Sequence, residues 1–315
     1  MRNRKRYIPP GGALVAISHR CLQARLLLTP TRRLNQLALG VLAKAIERSN
    51  ARFVAIVILG NHLHLLLWVE DALQMATCME YFAGNLAREA GRLRGWKGKF
   101  WHGQYSAIVV AEDEASQVSV LRYFLEHGCK ENLVASPFEW PGLHPAAMLL
   151  GPEDPRGTWV DRTALHLARL REPHRKRCEA DFEETLPLRR HALPCWAHLS
   201  AEDIRQRIQD LVVDIEHSTR ERHLSAGTRP LGPRRVIRQN PRERPKSSKK
   251  SPAPLIHASS KAIRERFRRA YRSVMAAYAL ASARLRNGDR AVEFPRGTFP
   301  PALPFVPHAE APRAG

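Results

Sequence analysis

Cysteine is sparse and shows no pairing pattern: Cys21, Cys78, Cys129, Cys178 and Cys195 are odd in number, scattered, and never arranged as CxxC. That excludes a disulfide framework and a cysteine-built structural zinc site, and it fits small semi-buried hydrophobes in a reducing compartment. Long hydrophobic runs are missing as well, since no stretch reaches the ~20 apolar residues needed to cross a bilayer. The opening MRNRKRYIPPGG is basic, and no apolar run of signal-peptide length follows it. A cytoplasmic protein without a membrane partner is the expectation.

Acidic residues are also short, 30 against 51 lysines and arginines, for a net charge of +21. Solubility does not require so much charge, which points to a polyanionic partner. Nucleic acid is the natural choice, because each phosphate neutralised by a cationic side chain releases condensed counterions. A membrane surface would call for an amphipathic anchor or a lipidation signal.

At 315 residues with 44% apolar content, the chain is long enough for two domains, or for one domain with an extension. ALVAISHR (13–20) reads as a strand. Thr29 and Pro30 then read as the N-cap and first position of a helix running to Asn50. RFVAIVIL (52–59), the Gly60-Asn61 turn and HLHLLLWV (62–69) read as an antiparallel hairpin. Asp71 with Gln74 resembles a capping box opening a helix that ends at Gly95. QYSAIVVA (104–111) is a fourth strand, and the acidic EDEAS opens a helix stopped by Gly128.

The order β-α-β-β-α-β-α predicts an α+β fold, a ferredoxin-like antiparallel sheet with packed helices. This core is expected over 1–145. A helical extension follows over 146–221, with Ser200 capping its main helix. A basic Pro/Ser-rich linker that buries too little apolar surface to order is expected over 222–258. An amphipathic, arginine-rich helix beginning near Ser260 and a proline-rich tail complete 259–315. Ile263, Phe267, Ala270, Tyr271, Val274, Tyr278, Ala281 and Leu285 form its apolar stripe.

The informative string is NHLHLLLW. On a strand, His62 and His64 point to one face and Leu63 to the other, so the two imidazoles can share a metal. In a chain with 14 histidines such a pair also arises by chance. A second observation strengthens it. In SQVSVLRYFLEHG, Val118, Leu121, Phe124 and Leu125 form the core stripe of a helix, whereas Tyr123 and His127, one turn apart, face away from it. A third imidazole beside a phenol makes a ligand-plus-nucleophile set.

Over about Tyr7 to Pro141 the chain resembles the HUH-type single-tyrosine transposases, in particular the REP-associated tyrosine transposases. The resemblance rests on GNHLHLLL, GKFWHGQYSAIVV and LRYFLEHGCKENLVASPFEWPG taken together. It implies a nuclease core in which His62 and His64 hold a divalent metal and Tyr123 attacks single-stranded or hairpin DNA, forming a 5′-phosphotyrosine. It also implies cutting and rejoining of a bacterial mobile element, in a nucleoid-associated protein that acts as a monomer or as a homodimer with exchanged helices. Where the family carries an amide four residues past the tyrosine, this chain has His127. Mg²⁺ or Mn²⁺ is the family expectation, and three nitrogen ligands shift it toward Mn²⁺ or Zn²⁺. Asn132 stands where the family commonly has glycine, and asparagine tolerates the left-handed conformation such a turn needs.

Other DNA contacts are expected at His19 and Arg20, which end the first strand, and at Arg122 and Lys130 beside the tyrosine. The loop WKGKFWHG offers Trp96, Lys97, Lys99 and Trp101 for base stacking and phosphate contact, the alternative being aromatic plugs closing one end of the core. Two rival functions stay open. One is a DNA-binding relative that no longer cuts, and the other is a three-histidine, metal-dependent hydrolase using water without a covalent intermediate.

Overall fold

A computed structural model describes residues 6–245 and 253–301. Its core runs β1 (Ala13–Arg20), α1 (Arg32–Ser49), β2 (Arg52–Ile58), β3 (His62–Val69), α2 (Ala72–Arg94), β4 (Ser106–Val110) and α3 (Glu114–Leu125). The strands lie in the order β2-β3-β1-β4, and all three pairings are antiparallel. This is the expected ferredoxin-like α+β arrangement.

Strand alternation divides the sheet into two buried faces. Leu63, Leu65, Leu67 and Val69 join Leu34, Leu42 and Phe82 of α1 and α2 in one core cluster. The other face of β3 carries His62, His64 and Leu66, and Leu66 packs with Leu121 and Phe124 of α3 in the second cluster. A sheet covered on both sides explains why its strands read as continuous apolar runs.

Several boundaries differ from the sequence expectation. Thr31, not Thr29, caps α1 by accepting from the Leu34 amide, because Thr29 is buried and its hydroxyl donates back to the Leu26 carbonyl at 2.7 Å. Asp71 caps α2, but Gln74 returns its side-chain oxygen to the Glu70 amide instead of to Asp71, so the capping box is incomplete. Helix α3 ends at Leu125, three residues before Gly128, and a separate short helix α4 (His127–Lys130) follows. Gly128 matters for packing instead, since a Cβ there would lie 3.0 Å from Val134 and 3.3 Å from Trp140, and its absence permits the close approach of α4 to the Trp140 ring. Asn132 does adopt the left-handed conformation, with φ 56°.

The remainder is α5 (Pro145–Leu150), β5 (Arg156–Val160), α6 (Arg162–Arg171), β6 (Glu183–Pro187), α7 (Ala201–Ala226), α8 (Pro233–Arg238), β7 (Ile256–His257) and α9 (Lys261–Arg286). This extension is mostly helical and packs on the core. The two-stranded antiparallel β5-β6 sheet sits on α1 backbone to backbone, since a Cβ on Gly40 would lie 2.1 Å from the Thr158 carbonyl carbon. Ser200 caps α7, whose Ile208, Val212 and Ile215 cover the α3 face of the sheet.

Of the 222–258 segment, residues 222–226 finish α7, residues 233–238 are helical, and β7 adds a parallel strand to the β4 edge, pairing Val109 with Ile256 and Val110 with His257. Residues 246–252, and the tail beyond 301, lie outside the described residues. Ser260 caps α9, whose stripe buries Tyr278 and Ala281 and sets Ile263 and Phe267 against the core. Among the described residues, no helix is long and apolar enough to cross a membrane.

Candidate metal centre

The site forms where the start of β3 meets the junction of α3 and α4. Alternation along β3 sends the side chains of His62 and His64 toward α3, and their rings lie 5.0 Å apart. His127, at the head of α4, completes the group. Its ring centroid is 5.0 Å from that of His62 and 4.5 Å from that of His64. One nitrogen from each imidazole lies within 4.8 Å of the others, a cluster capable of coordinating a divalent metal ion.

The chemistry of the donor set fits that role. His62 Nδ1 lies 2.6 Å from Asn61 Oδ1, an acceptor, so Nδ1 carries the proton and Nε2 keeps its lone pair. That Nε2 faces His127 Nε2 at 2.8 Å. Nitrogens around a tetrahedral ion with bonds of about 2.0–2.1 Å lie roughly 3.4 Å apart, within the span this cluster covers. Burial pushes His62 and His64 well below the ordinary histidine range. The neighbouring imidazoles and Arg20 push the same way. His127 is brought down to about 2, by burial first and then by His62, Lys130 and His144. All three are therefore neutral at pH 7, the form that binds metal. Among the described residues no carboxylate belongs to the cluster, and three nitrogens suit Mn²⁺ or Zn²⁺ better than Mg²⁺.

Tyr123 stands beside the imidazoles, its ring 5.4 Å from His64 and 5.0 Å from His127. Burial raises its phenol pKa, Glu131 and Glu126 add to the rise, and Arg20 opposes it. The ammonium of Lys130 lies 5.0 Å from the centre of the same ring while pairing with Glu126 at 3.1 Å.

One expectation about orientation is corrected. His127 does not face outward from the same helix as Tyr123; it is only 2% exposed, because the helix breaks at Glu126 and α4 packs inward with Cys129 against the second core cluster. Of the remaining candidates Arg20 borders the cluster, and the others lie away from it. Arg20 is exposed at the end of β1, opposite His62 in the strand register. His19 is 6% exposed, carried on the other face of the sheet, and stacks on Trp101 at 4.0 Å. Arg122 is paired with Asp214 of α7. Trp96, Lys97, Lys99 and Trp101 lie in the loop after α2, which is joined to β1 through a bridge between Cys21 and Trp101.

Three neighbours escaped sequence reasoning. Asn61 reads as a turn residue, and its only signal is adjacency to His62. His144, which acts on His127, and His257, which acts on His64, come from distant segments with no local signal at all.

No protein-family model matches the chain, and no curated protein matches it. Among solved structures it is similar to a REP-associated tyrosine transposase bound to a REP hairpin, at 15% identity and a TM-score of 0.36, over 45% of this chain and 81% of that one. It is also similar to a putative transposase from Deinococcus radiodurans R1, at 16% identity and a TM-score of 0.28, over 39% and 95% of the two chains. The likeness is distant.

Proposed function

We propose that this chain is a divalent-metal-dependent enzyme that cuts single-stranded DNA, with Tyr123 as the nucleophile that retains the cut end. The observation behind this reading is the convergence of three neutral imidazoles, His62, His64 and His127, with a phenol beside them, in a chain of net charge +21.

In the proposed step, Tyr123 Oη bonds to phosphorus as the bond from phosphorus to the 3′-oxygen breaks. The phenolic proton leaves and the 3′-oxygen takes one up, giving a 5′-phosphotyrosine and a free 3′-hydroxyl. His62, His64 and His127 would hold a divalent cation, which would polarise a phosphoryl oxygen. Asn61 holds His62 in the ligating tautomer. Lys130 and Arg20 place positive charge beside the phenol, against the burial and the two glutamates that favour its protonated form. Because the phosphoester energy stays in the covalent product, a second 3′-hydroxyl reverses the step, and joining needs no nucleoside triphosphate.

One observation favours a second reading. The raised phenol pKa of Tyr123 disfavours its nucleophilic form, so an activated water attacking at the same centre would give hydrolysis with Tyr123 as a bystander. A denaturing gel of labelled single-stranded DNA incubated with protein and Mn²⁺ separates the readings. The proposal expects a protein–DNA adduct that disappears in Tyr123→Phe. Free product without adduct would establish the hydrolase, and a strand left uncut on this gel but retarded on a native gel would mean a binding protein only.

A further inference from the structure

The last turns of α2 and the loop of residues 95–103 enclose a groove of about 720 Å³, within the range of roughly 300–1,000 Å³ usual for ligand sites. Four of its lining residues are cationic: Arg88 and Arg92 from the helix, Lys97 and Lys99 from the loop. None is acidic. Arg92 is paired with Glu89, whereas the lysine ion pairs among the described residues involve Lys44, Lys130 and Lys261 only, so Lys97 and Lys99 carry uncompensated charge.

The aromatic part is built rather than incidental. The Trp101 indole donates to the Ala83 carbonyl at 2.9 Å and is stacked on His19. The Trp96 indole donates to the Lys99 carbonyl at 3.2 Å, which folds the loop back on itself. Both ring N–H groups are therefore used within the protein, and what the rings offer a ligand is π surface. Gly95 and Gly98 have φ of +55° and +103°, and a Cβ at either would meet nothing within 4 Å, so bare backbone lines an open channel.

The groove also has a fixed position relative to the metal centre. The His102 amide donates to the Arg20 carbonyl at 2.9 Å and the Leu22 amide to the Phe100 carbonyl at 2.7 Å. Arg20 is the residue opposite His62 in the β1–β3 register, so the loop and the imidazole cluster share one end of the sheet.

We propose that this groove binds single-stranded DNA, with Trp96 and Trp101 stacking bases and Lys97 and Lys99 contacting phosphates, and that it holds the nucleotides flanking the phosphate presented to the imidazoles. The flanking role rests on the function proposed above; the binding does not. Single strands are specified because stacking needs unpaired bases, which a duplex withholds.

The test is fluorescence anisotropy of a labelled oligo(dT) with full-length, metal-free protein in EDTA. Trp96→Ala and the double variant Lys97→Glu/Lys99→Glu should each weaken binding by about tenfold or more. Trp96→Phe should restore most of it. The slope of log K against log salt should fall by roughly 0.7 for each lysine removed. A same-length duplex should compete poorly. The lysine positions are exposed, so the double variant stays informative even if Trp96→Ala fails to fold. Binding within twofold of wild type in the lysine variant, or equal competition by duplex, overturns the groove assignment. Tight binding with no cleavage by wild-type protein in Mn²⁺ would sink the proposed function and leave the groove standing.

Discussion

Arg222 Nη2 donates a 2.7 Å hydrogen bond to the carbonyl oxygen of Cys129, tying α7 to the short helix that begins with His127. Parallel ties surround it. Arg122 pairs with Asp214, Ser136 bonds Glu216, and the amides of Leu231 and Gly232 donate to the carbonyls of Asn132 and Leu133. The extension thus braces the segment that carries two members of the site.

Replacing Arg222 with leucine leaves the Cys129 carbonyl without that partner. The expected cost is about 1–3 kcal/mol in urea unfolding. A severalfold loss of Mn²⁺ or Zn²⁺ affinity should accompany it, and Arg222→Lys should recover part of both. A stability loss with unchanged metal affinity would reduce α7 to a cover.

Asn61→Ala removes the acceptor that fixes the His62 tautomer. Metal affinity, measured by isothermal titration, should fall about 10–100-fold, as for other outer-shell partners of ligating histidines. Asn61→Asp keeps an acceptor and should stay near wild type. An alanine variant binding at full strength would dismiss the role given to Asn61.

His144 predicts an acid-sensitive fold. It caps α5 by accepting from the Ala146 amide at its Nδ1, and complete burial pulls its pKa down to about 3. Between that value and the unfolded reference of about 6.5, the unfolded chain takes up a proton that the folded chain refuses. Its contribution is therefore complete above pH ~6.5 and shrinks as pH falls toward 3. Urea midpoints should decline over that window, and His144→Asn, which keeps a capping oxygen, should flatten the decline. Equal slopes in the two proteins would assign the acid sensitivity to other groups.

Much of this was legible in the sequence, because the core obeys local rules. Apolar, β-branched strand runs, Asp71 and Ser200 caps, and the Gly95 stop all leave signatures within a few residues, and so does the shared face of His62 and His64. What stayed hidden depends on contacts between distant segments. The helix break at Glu126 and the burial of His127 follow from packing against Val134, Trp140 and α7, none of which shows in the pattern of SQVSVLRYFLEHG. β7 is too short for a periodic signal and exists only because the β4 edge is open to it. The Gly40 and Gly157 contact reads as two ordinary glycines until α1 and β5 are superposed in space.

The central claim is that His62, His64 and His127 hold one divalent cation. Titration of metal-free protein with Zn²⁺ or Mn²⁺ should give one site per chain, lost or weakened at least about a hundredfold in both His64→Ala and His127→Ala, with circular dichroism unchanged. Wild-type affinity and stoichiometry in either folded variant would contradict it.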